Sequence, residues 1–503
     1  MRRWFRILAL LAAGVQFTVL LEYSVARFDR YDLGIDFGIL NQATSQIASG
    51  NLNPYSTIYG HPYWRDQFNL ITWPLGFLRV VFPSAFLLLV IQGLALAVAS
   101  FLVIDFTVRH TYSSRLGPSH RILVVAAVAA LTLANPYAWQ ADSFDVHVQP
   151  IAAVGLVLAM IGFWERRKIL PWVGLGLALI SGSESALLVV GLGLGMVAIR
   201  SVRRAGLQVT TLGAAWLVLV MALDAHQGTP LPASYGYLAH STNQSALSIV
   251  VGTLTHPSTP LAVLRARGAW IARIFIYSGI IGAIFPPALG ASLVVIGANG
   301  LQATPSFITL QTGFQNYPET ILLLAAFPIA STWLHSAAVN RRHWLGGVVV
   351  PATAALSLLI CVSAVIYDAG IPPSWLVVPR PAAAALDRVP RLPAAEYFAS
   401  ASVIGRFSSR ANVIAWISEP SVVPVCSSKM VVVLADGFGL SLLHKKALEP
   451  FAARLSRMPQ AHLLIEQDAV YAFELSGLKR GDLLEVPSAQ LVKPNSPISG
   501  CQA

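Results

Sequence analysis

The chain has 503 residues, of which 55% are apolar and only 11% charged, and its mean hydropathy is +0.64. Soluble domains are about 25% charged, and their cores stop growing at roughly 250 to 300 residues, so a soluble enzyme, a disordered chain, a collagen and a disulfide-dense scaffold are all excluded. The net charge of +11 does not indicate nucleic acid, because 21 basic and 12 acidic residues lie among the first 366 positions, against 13 and 11 in the remaining 137. Most of the excess falls in short loops between apolar runs, where it orients helices in a bilayer, and no basic face with interleaved aromatics accompanies it.

A membrane-crossing helix needs roughly 20 apolar residues. In chain order, eleven spans are expected near residues 7–25, 82–104, 121–137, 149–164, 169–181, 185–199, 208–224, 270–285, 287–301, 320–336 and 345–366. The first is expected to be an uncleaved helix, since further spans follow and no clear small-x-small site precedes Glu22. With the N-terminus cytoplasmic, Arg2, Arg3 and Arg6, then Arg109, Arg115 and Arg121, then Arg166, Arg167 and Lys168, then Arg200, Arg203 and Arg204, and finally Arg341 and Arg342 all fall inside. Ten of the twelve acids in this part fall outside or near the outer ends, leaving Asp105 and Glu165 within. Residues 1–366 therefore read as a plasma-membrane helical domain and 367–503 as an extracytoplasmic domain.

That outer tail has short β-type runs at 402–407, 412–417, 430–434, 462–465 and 470–475, with a helical stretch at 441–457, and so reads as a small α/β domain. Cys426 and Cys501 both lie in it, in a compartment where disulfides persist, and a bridge between them is one of two open alternatives.

The first outer loop, residues 27–81, is too long for a simple turn and carries Asp, His, Trp and Tyr beside the membrane, as functional loops often do. Asp32 and Asp36 are four apart and would share one helix face, with Asn41 and Gln42 little more than a turn later. A carboxylate partly desolvated there suits a general base or a cation site, and an interfacial helix with solvated acids is the plainer alternative. Two further outer elements carry Asp145 with His147 and Ser183-Glu184-Ser185. His147 is open between proton carrier, ligand and a simply hydrogen-bonded histidine, whereas Glu184, between apolar half-hairpins, is a functional candidate by position.

The runs Asp36-Phe-Gly-Ile-Leu-Asn-Gln-Ala, Asp66-Gln-Phe, Ile91-Gln-Gly-Leu-Ala-Leu, Phe144-Asp-Val-His-Val-Gln, Ser183-Glu-Ser and Gly313-Phe-Gln-Asn-Tyr resemble an uncharacterised family of bacterial polytopic membrane proteins. That family is a domain of unknown function, common in actinobacteria and grouped with the GT-C membrane glycosyltransferases; residues 396–475 resemble its outer C-terminal region as well. The chain departs from the family pattern at Asn41, where an Asp is usual, at Gln67 for His, at Gln149 for Glu, and at Ser183 and Ser185 for Lys and Asp.

The resemblance implies a GT-C-like fold and transfer of a sugar from a polyprenyl-phosphate-linked donor to an envelope glycan or lipid acceptor. Asp36 would be the base. Asp66 and Glu184 would orient acceptor or metal, Arg65 would contact phosphate through its paired donors, and Asp145, His147 and Gln42 would line the substrate site. A hard divalent ion, Mg²⁺, Mn²⁺ or Ca²⁺, would suit such carboxylates better than zinc. A transporter or lipid-handling protein, and a non-catalytic envelope protein, stand as the alternatives.

Overall fold

The computed structural model of the chain describes residues 2–58, 60–65, 68–114, 116–227, 234–241, 245–303, 313–340, 345–367, 381–392, 395–409, 412–416, 421–435, 442–486 and 488–492. Helix α1 (Arg2–Asp29) is followed by α2 (Ile35–Ala48), α3 (Thr72–Val81), α4 (Phe86–Ser113), α5 (Pro118–Leu133), α6 (Pro136–Phe144), α7 (Gln149–Trp164), α8 (Leu170–Ile180) and α9 (Glu184–Val197). Then come α10 (Arg203–Gln227), α11 (Ala246–Thr255), α12 (Ser258–Ala266), α13 (Gly268–Tyr277), α14 (Pro286–Gly300), α15 (Tyr317–Asn340) and α16 (Leu345–Tyr367). Helix α1, α4, α5 running on into α6, α10 and α15 are each long and apolar enough to cross a membrane, whereas α7, α8, α9, α13 and part of α16 are shorter apolar helices.

All eleven expected runs fall on helix, with two differences. The run 270–285 is broken after Tyr277: Gly279 and Ile280 take φ of +76° and +62°, and a 3₁₀ turn at Ile281–Ile284 follows. Helices α11 and α12 were not expected, and they meet at 87°. Where short helices pair, small residues let them touch: a Cβ on Gly155 would lie 2.6 Å from the Gly174 carbonyl oxygen, and one on Gly174 would lie 2.5 Å from that of Gly155. Between helices in lipid such backbone approach supplies the packing that hydrophobic burial supplies in water.

Helix α3 is amphipathic in a different sense. Leu75, Gly76 and Arg79 are buried, while Phe77, Leu78, Val80 and Val81 are exposed, as is Phe82 just after it. A short helix with such an exposed apolar face is suited to a membrane boundary.

The C-terminal part begins with α17 (Pro381–Asp387) and carries β3 (Glu396–Ser400), β4 (Val413–Trp416), β5 (Ser421–Pro424), β6 (Lys429–Ala435), α18 (Leu442–Leu455), β7 (Ala461–Gln467), β8 (Val470–Ser476), β9 (Leu483–Val486) and β10 (Gln490–Val492), the first loop having supplied β1 (Tyr55–Ser56) and β2 (His61–Pro62). One sheet has the order β4-β3-β6-β8-β7, with β3 parallel to both neighbours and β6, β8 and β7 antiparallel; a second has the order β10-β9-β5. Phe451 and Leu455 of α18 pack on Trp416 and Phe473 of the larger sheet. The strand expected at 402–407 is a turn with 3₁₀ structure at Ile404–Arg406, and the strand before it, β3, is an interior strand of the sheet instead. All five β3 residues are buried, so it shows no in-and-out alternation by which to be read. Cys426 is disulfide-bonded and Cys361 is a free buried thiol; Cys501 lies outside the described residues.

The chain order of helices then strands does not divide the cores. Tyr31, Ile39, Ala43, Ile58 and Tyr63 share one core with Leu386, Tyr397, Ile404, Val413 and Val431. The other side of α2, through Phe37 and Leu40, packs on Leu75, Leu88 and Val146. Thr57 ties the layers together, its hydroxyl donating to the Val413 carbonyl (2.5 Å) and accepting from the Val413 N–H (3.0 Å). Gly405 allows the fit, since a Cβ there would stand 2.9 Å from the Leu33 carbonyl oxygen. Arg406 completes it, lying 4.4 Å from the Phe28 ring centroid and 4.9 Å from that of Tyr31.

Candidate functional site

The site is built where α2 begins. Helix α2 starts at Ile35 after Gly34, so Asp32 is not on it; Asp32 pairs with Arg30 at 3.2 Å, and its carbonyl accepts from Arg27 at 2.6 Å. The expected shared face of Asp32 and Asp36 is therefore absent. Asp36 stands in the first turn of α2, where the helix dipole favours a negative charge.

The turn from α6 to α7 approaches the same helix end. Asp145 is buried, and its carboxylate accepts the N–H groups of Val146 (2.9 Å) and of Phe37 in α2. It thus caps α2 from another part of the chain. His147 Nε2 lies 3.8 Å from Asp36 Oδ2.

One residue of α4 holds the turn in place. The Gln92 amide donates to the carbonyls of Ala141 (3.0 Å) and Asp145 (3.1 Å), while its oxygen accepts the His147 N–H at 2.5 Å. Behind it Ser24 of α1 donates to Asp142 at 2.8 Å. Buried amides placed this way fix a loop because each unmade bond would leave a polar group stranded.

The electrostatics follow from the enclosure. Burial raises the Asp36 carboxyl above its usual range. Burial also raises Asp145, and the neighbouring Asp36 charge pushes it further in the same direction. Burial lowers His147 to about 3, so the imidazole is neutral at ordinary pH. Yet 33% of the Asp36 side chain is open to solvent, against 9% for His147, and the Asp36 oxygens accept no hydrogen bond among the described residues. A carboxylate that feels burial and still meets solvent is partly desolvated yet open to a small molecule. That is the arrangement a general base needs: a raised pKa, an open face and a neutral imidazole within reach.

The remaining expected residues lie elsewhere. Gln42 is buried and its amide is used structurally, donating to Thr57 Oγ1 at 2.7 Å and accepting from the Thr57 N–H at 3.0 Å. Arg65 is exposed at the end of a 3₁₀ turn, Tyr63–Arg65, whose Tyr63 and Trp64 rings pack on each other. Asp66 lies outside the described residues. Glu184 opens α9, with Tyr235 and Glu319 among its titratable neighbours. Among the described residues no three His, Cys, Asp or Glu side chains are grouped to hold a metal ion, and no step below is routed through one.

Asn41 has a different partner from any foreseen. Arg79 of α3 is buried, pushed down to about 10 by that burial, and donates to the Asn41 carbonyl (2.7 Å), Asn41 Oδ1 (2.6 Å) and Thr44 Oγ1 (2.9 Å). The signals for Gln92 and Arg79 were present only as residue types: an amide within an apolar helix and an arginine on an amphipathic one.

A polytopic helical membrane protein with a buried acid–histidine cluster where α2 begins is the class this architecture defines. The chain belongs to the family described as predicted membrane protein (DUF2079), which matches residues 30–389 and so covers Asp36, Asp145, His147 and Glu184. The match ends before β3, so the likeness of 396–475 lies beyond it. Among solved structures, the chain is similar to the crystal structure of ArnT from Cupriavidus metallidurans bound to undecaprenyl phosphate. The TM-score is 0.47 and the identity 12%, over 93% of this chain and 99% of that one. No curated protein matches the chain.

Proposed function

We propose that this protein is a membrane glycosyltransferase that moves a sugar from a polyprenyl-phosphate-linked donor to a hydroxyl of an envelope acceptor at the outer face. The observation that carries this reading is Asp36: burial raises its pKa while a third of its side chain stays open to solvent. In the proposed step the acceptor oxygen bonds to the anomeric carbon as the bond from that carbon to the phosphate oxygen breaks. The acceptor proton passes to Asp36, and polyprenyl phosphate leaves with the electron pair. His147 orients the acceptor as a neutral imidazole, and Asp145 keeps the α2 terminus in place. Helix α3, with its apolar face along the membrane boundary, lies where a lipid-borne donor would arrive. The extracytoplasmic placement of this end and of the C-terminal sheet is part of the same reading, and it rests on the distribution of basic loops.

A second reading, a transporter, is favoured by Glu319, which is fully buried in α15 with neither carboxylate oxygen hydrogen-bonded in the described structure. The test uses protein in lipid discs with a panel of polyprenyl-phospho-sugars and mixed glycan acceptors, following polyprenyl phosphate by mass spectrometry. Release by the wild type that is lost in Asp36→Asn supports the transferase. No release from any donor, together with solute flux in vesicles that Glu319→Gln abolishes, would replace it with transport.

A further inference from the structure

At the end of the bundle opposite Asp36 lies a second feature, which the sugar chemistry does not use. Helix α7 runs 16 residues from Gln149, about 24 Å at 1.5 Å per residue, and there the end of α9 and the start of α14 enclose a cavity of about 200 Å³. Trp164, Leu192, Met196 and Phe285 give it apolar walls, and Arg166 and Ser201 also line it. Walls that are mostly apolar favour an apolar occupant over ordered water, which needs several polar partners.

Its surroundings are strongly cationic. Arg166, Arg167 and Lys168 follow α7, and Arg200, Arg203 and Arg204 follow α9. The acid in the first of these loops, Glu165, is taken up by Arg167 at 3.3 Å and by an ion pair with Arg109. Arg166, Lys168, Arg200 and Arg204 pair with no carboxylate among the described residues, and all four are exposed.

Arg166 also occupies an unusual backbone position. The Arg167 N–H bonds to the Gly162 carbonyl at 2.8 Å and the Arg166 N–H to that of Phe163 at 3.2 Å, while Arg166 itself takes φ +56°. This is the helix-ending turn in which glycine is usual, because a side chain there is strained. An arginine held at that point, on the lining of an apolar cavity, has its charge where a phosphate above an inserted hydrocarbon chain would be.

We propose that this cavity binds one acyl chain of an anionic membrane phospholipid, with the headgroup phosphate held by Arg166 and the field of the two basic loops. Charge complementarity selects the occupant: a zwitterionic lipid would bring its own cation to a rim that already has an excess of them. The apolar surface beside the site, exposed at Ile169, Val173 and Leu194, is continuous with what a bilayer would cover.

Native mass spectrometry of the full chain, with phosphatidylglycerol or phosphatidylcholine of identical acyl chains, tests this. The expected result is one retained phosphatidylglycerol, at least about tenfold preferred, a preference corresponding to 1.4 kcal/mol. Arg166→Gln should bring the two lipids close to parity, and Leu192→Trp, which fills the cavity, should abolish retention. Ser201→Glu alters only an exposed residue and should also abolish it, so the outcome does not depend on the tryptophan variant folding. Equal retention of both lipids by the wild type, or undiminished retention by Ser201→Glu, would overturn the proposal. Competition by millimolar inorganic phosphate as effective as that by the lipid would likewise overturn it, reducing the site to free-anion binding.

Discussion

The two ends of the helical bundle treat their carboxylates in opposite ways. At the basic end Asp105 is held by Arg6 at 2.5 Å and by Arg109 at 2.9 Å, and Glu165 pairs with Arg109 and Arg167. Each acid there meets a guanidinium, and the network ties α1, α4 and the turn after α7 together. At the other end Asp36 and Asp145 come together at one helix terminus beside a neutral imidazole, and burial raises both. Neutralised charge builds structure, whereas acids kept buried with no paired guanidinium cost energy, the setting in which functional carboxylates are often found.

That contrast yields graded expectations. The largest concerns Asp36→Asn, which should lower polyprenyl phosphate release by about 10²- to 10⁴-fold, the usual worth of a general base, with the melting temperature in detergent nearly unchanged. If activity survived and stability fell, Asp36 would belong with Asp105.

Gln92→Leu comes next. It strands the Ala141 and Asp145 carbonyls and the His147 N–H, and should cost about 2 to 3 kcal/mol of stability along with a kcat loss of at least about tenfold. Thermal melts and steady-state rates on one preparation would measure both. Asp105→Asn is the converse experiment: thermal denaturation should register a loss of about 2 kcal/mol, while the rate per folded molecule stays the same.

A smaller effect is expected in the pH profile. Both acids have folded values above their unfolded ones, so the stability they contribute is full at low pH and declines as pH rises through the raised values. The base must be ionised to act, so the rate should climb over that same interval. Asp145→Asn keeps an oxygen for the cap and removes the mutual repulsion, and the acid limb of the rate profile should move down by about one pH unit. An unmoved limb would separate the two carboxylates functionally.

The smallest change is Asn41→Asp, which gives the buried Arg79 a carboxylate. It should add about 1 kcal/mol at neutral pH, measured by denaturation. Arg79 would hold that carboxyl low, so the gain should be present above about pH 4 and disappear as pH falls through the depressed value.

By itself the sequence determined that the protein lives in a membrane and where most of its long apolar helices lie, because an apolar run of span length and a basic loop are local signals. It also marked Asp36, Asp145 and His147 as candidates by residue type and by resemblance. Only the tertiary structure decided which candidates stand together. Asp145 and His147 reach Asp36 because Gln92 fixes their turn from α4, a contact between positions more than fifty residues apart that no periodicity records. Gln42, next to Asn41 and equally polar, faces Thr57 instead and braces the link to β4. The fully buried β3 was unreadable because its neighbours on both sides, and not its own pattern, make it a strand. The C-terminal sheet proved to share its core with α2, since burial is settled by what packs in space, and chain order cannot foretell that.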